Sequence, residues 1–265
     1  MSRPMPIITL TTDFGAGSPY AAVVKGVILS INPAAMLLDI SHSVPPQDVR
    51  SGALLLENAT PWFPEGTIHL AVVDPGVGTD RQILYARIGR QQYVAPDNGV
   101  LSRLLAKTPA AELRRVANSA HWLDPVSATF HGRDIMAPVA ARLSLGLDPR
   151  DLGPPTTAAV SCDWAQAELS ERKIRGEVIE IDSVGNLVTN SAAELFAGRP
   201  TDTRVCVVCG IYETFGIYRS YAEQPAGMLV ALVGSTGRLE LALVGDNAAA
   251  RLGVAAGAPV VVAWE

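Results

Sequence analysis

Residues 67–81 read TIHLAVVDPGVGTDR. An apolar, β-branched run of this kind reads as a buried strand, of the sort found in a parallel sheet covered by helices. The run ends on Asp74, turns through Pro75, Gly76 and Gly78, and delivers Arg81 seven residues after the aspartate. A structural turn needs the proline and the glycines but has no use for the two charges.

On either side of this stretch the first half of the chain alternates strand and helix patterns. ITLTTDF and AMLLDIS are strands; SPYAAVVKGVILSI between them starts on Ser18-Pro19 and sets Tyr20, Val24, Val27, Ile28 and Ile31 on one helical face. PQDVRSGALLLENA is a second helix, QILYARI and QQYVAPD add strands, and GVLSRLLAK and RDIMAPVAARLSLG add helices. The expected class is α/β, a mainly parallel sheet flanked by helices. From Gly176 the pattern changes to short strands with glycine turns, which predicts a small antiparallel barrel or sandwich with one short helix near DNAAARLG. The expected division is residues 1–155, a linker over 156–175, and 176–265.

Composition narrows the partners. With 48% hydrophobic and 18% charged residues in 265, the chain can bury a substantial core, and a net charge of −5 without like-charge runs argues against a nucleic-acid groove or an anionic membrane surface. No apolar run approaches the roughly 20 residues needed to span a bilayer, and the first residues lack a signal-peptide pattern. Cys162, Cys206 and Cys209 are a sparse, odd set that fits a reducing compartment, so a cytoplasmic location is expected. The CVVC pair lies in a β-branched run and reads as strand cysteines rather than half of a metal site.

Four carboxylates, Asp13, Asp39, Asp74 and Asp97, fall at the carboxyl ends of the expected strands, the edge where open α/β sheets bind ligands. Each alone could cap a helix or close an Asx turn. Together they suggest a metal-dependent phosphoester site or a grip on ribose hydroxyls; the chain has no His-x-His and no Gly-rich phosphate loop beside them. His131, in TFHGRD, is either a cap or a functional imidazole, and Asp134 falls in the first helical turn. Asp182, Asn186 and Asn190 in IDSVGNLVTN, and the GSTGRLEL hairpin, could be turns only.

In this order, TTDFG, YAAVVKGVI, DISHSVPPQDV, FPEGTIHLAVVDPGVGTDR, APDNGVLS, TFHGRD, IDSVGNLVTN and GSTGRLEL resemble the SAM hydroxide adenosyltransferase family, relatives of fluorinases and chlorinases. The resemblance implies a seven-stranded α/β domain, a C-terminal β-barrel, and a homotrimer with active sites between subunits. It also implies hydrolysis of S-adenosyl-L-methionine (SAM) to adenosine and L-methionine, with SAM as substrate and no cofactor or metal. The family's water-handling residues fall on Asp74, Arg81 and His131. Asp13 matches the ribose carboxylate, Asp182 the acceptor of the methionine ammonium, Asn186 an adenine-side residue and Ser235 the group at the methionine carboxylate. Phe130 packs near the adenosine in this reading, and Tyr221 supplies an aromatic wall. Val184 stands where the halogenases carry an aromatic, and Asp74 where the fluorinase pattern has one, which favours hydroxide over halide. A SAM or adenosine sensor without turnover is the alternative from another class. An imidazole titrating near neutral pH makes His131 the favoured base over Asp74.

Overall fold

A computed structural model describes residues 5–265. The chain divides into two compact units, the first ending at Cys162 and the second starting at Asp163.

The first unit contains, in order, β1 (Ile7–Thr12), α1 (Tyr20–Ile31), β2 (Met36–Ser41), α2 (Val49–Ala59), β3 (Ile68–Val72), β4 (Ile83–Ile88), β5 (Gln91–Pro96), α3 (Ser102–Lys107), β6 (Ala110–Arg115) and α4 (Ala137–Ser144). The sheet order is β2-β1-β3-β5-β4-β6. Strands β2, β1, β3 and β5 run parallel, and β4 is antiparallel to both of its neighbours. All five residues of β3 are buried, as a central strand covered on both faces requires. Ile68, Leu70 and Val72 pack with Val24 and Ile28 of α1 and Val139 and Leu143 of α4. Ala71 points the other way, into the cluster that holds Leu56 of α2 and Leu104 of α3. Helix α2 starts where the Asp48 carboxylate accepts from Ser51 N at 2.9 Å.

The seven strands implied by the resemblance become six in this sheet. Beyond β6 the chain comes back beside it, but only one bridge forms, Arg114 with Pro155. Arg115 N donates to Pro154 O at 3.0 Å and Thr156 N to Leu113 O at 3.0 Å. Pro154 and Pro155 have no N–H to extend a ladder, which leaves a seventh strand reduced to that bridge.

The second unit contains β7 (Glu168–Ser170), β8 (Lys173–Ile181), β9 (Leu187–Ala192), β10 (Val205–Cys209), β11 (Tyr212–Phe215), β12 (Leu229–Val233), β13 (Arg238–Leu243), α5 (Ala248–Leu252) and β14 (Pro259–Trp264). The strands pair antiparallel in the order β11-β10-β14-β8-β9-β13-β12, with β7 on β8. Thr214 Oγ1 donates to Leu229 O at 2.7 Å and Tyr218 N to Ala231 O at 2.8 Å, so the two ends of the path nearly meet and the sheet is barrel-like. Ile174, Val207, Leu239, Leu241 and Val262 fill its interior. Cys206 and Cys209 lie in β10, both unbridged, and burial pushes both thiols up. Among the described residues no helix is long and apolar enough to cross a membrane.

Candidate active site

Because β1, β2, β3 and β5 are parallel, their carboxyl ends share one edge of the first unit; Asp13 and Asp97 directly follow β1 and β5, and Asp74 lies two residues past the end of β3. From β1 the chain crosses through α1 to β2 on one side; the next strand, β3, lies on the other side of β1. The switch point is therefore between β1 and β3, whose ends carry Asp13 and Asp74.

The four carboxylates are not equivalent. Asp39, within β2, takes Lys25 Nζ at 2.6 Å and lies 3.0 Å from His42 Nε2. Burial pushes its carboxyl up, and the Lys25 hydrogen bond and the His42 charge outweigh that, leaving it below the usual carboxylate value. Asp97 Oδ1 accepts from Val160 N at 2.7 Å and ties down the chain leaving the unit. Asp13 uses Oδ2 to accept from Gln47 N at 2.8 Å; Gln47 holds the left-handed φ of 64°. A non-glycine residue there costs about 1 kcal/mol or more. Asp74 is the carboxylate that meets other reactive side chains.

Arg81 Nε donates to Asp74 Oδ1 at 2.9 Å and Oδ2 at 3.0 Å, and Nη2 makes a very short contact with Oδ2. The same Nη2 lies 2.9 Å from His131 Nδ1. A guanidinium can only donate, so Nδ1 is the acceptor and the neutral imidazole carries its proton on Nε2. Both partners of the ion pair are nearly closed off, with side-chain exposures of 10% for Arg81 and 5% for Asp74.

Two glycines permit this meeting of residues 74, 81 and 131. Gly78 has φ of +80°, and a Cβ there would lie 2.4 Å from Ala128 O, so the turn after Asp74 sits directly on the loop that leads to His131. At Gly132 a Cβ would lie 2.9 Å from Val72 Cγ1, which seats the His131 turn on the end of β3. That turn is π-helical over Gly132–Met136 and runs into α4. Asp134, in its first turn, is buried and accepts from Ser127 N at 2.8 Å and from Arg133 Nε at 2.6 Å. It is a clamp on the loop rather than a helix-dipole partner alone.

The surroundings of His131 bear on its role as the expected base. His131 is not an unperturbed imidazole: burial and the adjacent Arg81 charge push it down, against smaller opposing effects of Asp74 and Asp134. Its only acceptor nitrogen is engaged by Arg81.

Beside the cluster, Phe130 meets Tyr20 edge-on at 5.2 Å and Phe14 at 5.9 Å. Tyr20 and Phe14 were not singled out as site residues, although the TTDFG and YAAVVKGVI stretches contain them. A cavity of about 300 Å³ touches Arg81 and His131 and is walled by Trp122, Val126 and Ile135.

The other expected residues collect in the barrel unit. Asp182 follows β8; its Oδ1 accepts from Val184 N at 2.9 Å and Asn186 N at 2.8 Å, and its Oδ2 from Asn186 Nδ2 at 2.9 Å. Asn186 Nδ2 also reaches Tyr221 Oη at 3.4 Å. The Tyr221 hydroxyl donates a very short hydrogen bond to Glu240 Oε1, and Glu240 is 5% exposed. Val184, Asn186, Tyr221, Leu243 and Asp246 line a cavity of about 380 Å³. Ser235 lies exposed at the tip of the β12–β13 hairpin, closed by Gly234 N to Arg238 O at 2.9 Å. Glu240 was missed, because strand alternation sets it opposite Leu239 and Leu241, on the face expected to meet water. Among the described residues no group of three or more His, Cys, Asp or Glu is arranged to hold a metal ion.

An open α/β unit with an aspartate, an arginine and a histidine joined at its switch point, followed by an antiparallel barrel unit, defines a two-part architecture with a polar cluster in each part. The family model for the SAM hydroxide adenosyltransferase N-terminal domain matches residues 8–153, and that for the SAM hydroxide adenosyltransferase C-terminal domain matches residues 176–261. The chain belongs to the SAM hydroxide adenosyltransferase family. It is 40% identical to the (R)-S-adenosyl-L-methionine hydrolase of Thermus thermophilus, over 94% of this chain and 96% of that one. It is 38% identical to the (R)-S-adenosyl-L-methionine hydrolase of Salinispora tropica, over 96% of each. The Actinoplanes fluorinase is more distant, 27% identical over 70% of this chain and 71% of its own. The crystal structure of an uncharacterized conserved protein from Thermotoga maritima superposes with a TM-score of 0.90 at 35% identity, covering 97% of this chain and 99% of that one.

Proposed function

We propose that this protein hydrolyses S-adenosyl-L-methionine to adenosine and L-methionine, by attack of water or hydroxide on the 5′ carbon of the ribose. Family membership and the hydrolases just described support the substrate and the reaction. The observation that carries the chemistry is the contact of Arg81 with both Asp74 and His131.

The reaction forms a C5′–O bond and breaks the C5′–S bond, whose electron pair goes to sulfur, so methionine leaves as a neutral thioether. Such a leaving group needs neither an acid nor a metal. The demand falls on the nucleophile, which must be held in line and lose a proton. In this reading Nε2–H of His131 donates to the water oxygen, Asp74 accepts the water proton, and Arg81 favours the hydroxide-like charge that develops. A halide has no proton to give up, so the Asp74 carboxylate suits a water user.

Asp13, with Oδ2 on Gln47, offers Oδ1 to the ribose hydroxyls. Asp182 takes the methionine ammonium and Ser235 the carboxylate, while Asn186, Tyr221 and Phe130 attend the adenosine. The same reading includes a homotrimer with sites formed between subunits, a cytoplasmic location and no cofactor. Light scattering of the purified protein tests the assembly, and activity that survives a chelator tests the last point.

The decisive experiment is incubation with SAM in oxygen-18 water. Label in the 5′ hydroxyl of adenosine, with an equal amount of methionine, is expected. SAM that binds and stays intact would replace hydrolysis with sensing, and adenosine without label would remove water as the nucleophile.

A further inference from the structure

Glu240 has no part in the reaction as derived above, yet it is a buried carboxylate hydrogen-bonded to a wall of the barrel-unit cavity. We propose that Glu240 is a positioning residue: through the Tyr221 hydroxyl and the Asn186 amide it leaves Asn186 facing the cavity as an acceptor only, and so selects a 6-amino purine over a 6-oxo purine. The inference rests on the reading of the substrate as an adenosyl compound.

The argument is one of proton order. Burial first, and the adjacent Glu240 second, push the Tyr221 phenol well up, so it keeps its proton and is the donor in the short contact to Glu240. The Tyr221 oxygen can then serve Asn186 only as an acceptor, at 3.4 Å from Nδ2. The second N–H of the same amide goes to Asp182 Oδ2 at 2.9 Å. A carboxylate oxygen cannot face an amide oxygen at that distance, so Asp182 also fixes which way the amide is turned. Both N–H groups of Asn186 are thereby committed, and Oδ1 is what the side chain has left for a ligand. An exocyclic amine at purine position 6 can donate to it; a 6-oxo group would set two acceptors against each other.

Glu240 is held in place tightly enough to impose this order. A Cβ on Gly234 would fall 2.1 Å from Glu240 Oε2, so the hairpin backbone lies close against the second oxygen. The donor that meets Glu240 Oε1 is the Tyr221 hydroxyl, and those that meet Asp182 are the Val184 and Asn186 N–H groups and the Asn186 amide.

Calorimetric titration of the full chain with adenosine and with inosine tests the proposal independently of turnover. The wild type is expected to bind adenosine at least about thirtyfold more tightly. Glu240→Leu releases the Tyr221 proton toward the cavity and should bring the ratio below about fivefold, chiefly by improving inosine binding. Tyr221→Phe, which removes one hydroxyl and keeps the ring, releases the second Asn186 N–H and should shift the ratio the same way. Glu240→Gln, which retains an oxygen for Tyr221, should keep most of the preference. Equal affinities in the wild type, no binding of either nucleoside, or a ratio unchanged in both Tyr221→Phe and a folded Glu240→Leu overturns the proposal. A wild type that prefers adenosine but leaves SAM intact overturns the hydrolysis reading and upholds this one.

Discussion

Asp74 and Asp182 both lie just beyond strand ends and both accept several hydrogen bonds, but the donors differ in charge. Asp74 is met by a guanidinium, so its cluster is electrically balanced before any ligand arrives. Asp182 is met by two backbone N–H groups and an amide, and its neighbour Glu240 by a phenol, all of them neutral donors. Burial, with Asp182 adding to it, pushes the Glu240 carboxyl up. A balanced cluster suits a neutral nucleophile about to lose a proton; an uncompensated one suits a ligand that brings its own positive charge.

The largest effects should come from the balanced cluster. Asp74→Ala and His131→Ala are each expected to lower turnover of SAM by about a hundredfold or more, with its dissociation constant within about threefold of wild type. Normal turnover in both would end the assignment. The acid limb of the kcat/KM profile sharpens the point. Because burial and Arg81 lower the His131 pKa from 6.5, activity should persist below pH 6.5 and fall only as Nδ1 gains a proton and loses Arg81. A His131-dependent limb centred at or above 6.5 would mean that the imidazole works as an ordinary base.

The uncompensated cluster should answer in affinity. Asp182→Asn is expected to raise the KM for SAM by roughly ten- to a hundredfold while kcat stays within about threefold, since hydrogen bonds to a charged group contribute about 1.5–3 kcal/mol. A fall in kcat with KM unchanged would show that the two clusters do not divide the work in this way.

Parts of this were legible in the sequence and parts were not, for identifiable reasons. β3 could be read because all five of its residues are apolar or buried and the run ends at a Pro-Gly turn. The antiparallel direction of β4 was not readable, since its composition matches that of its parallel neighbours. The near-absent seventh strand follows from Pro154 and Pro155, whose missing donors are visible but whose place beside β6 is not. Arg81 and His131 are 50 residues apart, and only resemblance joined them before the fold did. Glu240 is hidden by a hairpin and by Tyr221, 19 residues away, neither of which strand alternation can report.

The edge of the first unit offers a smaller comparison with the same logic. Asp13, just beyond β1, and Asp39, within the neighbouring β2, differ in their partners: Asp13 Oδ2 accepts from a backbone N–H, while Asp39 is engaged by Lys25 and His42. Asp13→Ala should weaken SAM binding by about tenfold through lost ribose contacts; an unchanged dissociation constant would refute that role.

Asp39→Asn should do least. It keeps the shape of the side chain and removes a charge that is 40% exposed. Exposed pairs of this kind contribute only about 0–1 kcal/mol, so stability should shift within that range. Turnover and SAM affinity should both remain within about twofold, because Lys25 and His42 occupy this carboxylate and no reacting atom is assigned to it. The aspartate was grouped with the others on position alone, and what separates it is who its partners are. If Asp39→Asn instead cost as much as Asp13→Ala, the edge would have to be treated as one electrostatic unit, and the contrast between occupied and available carboxylates would fail.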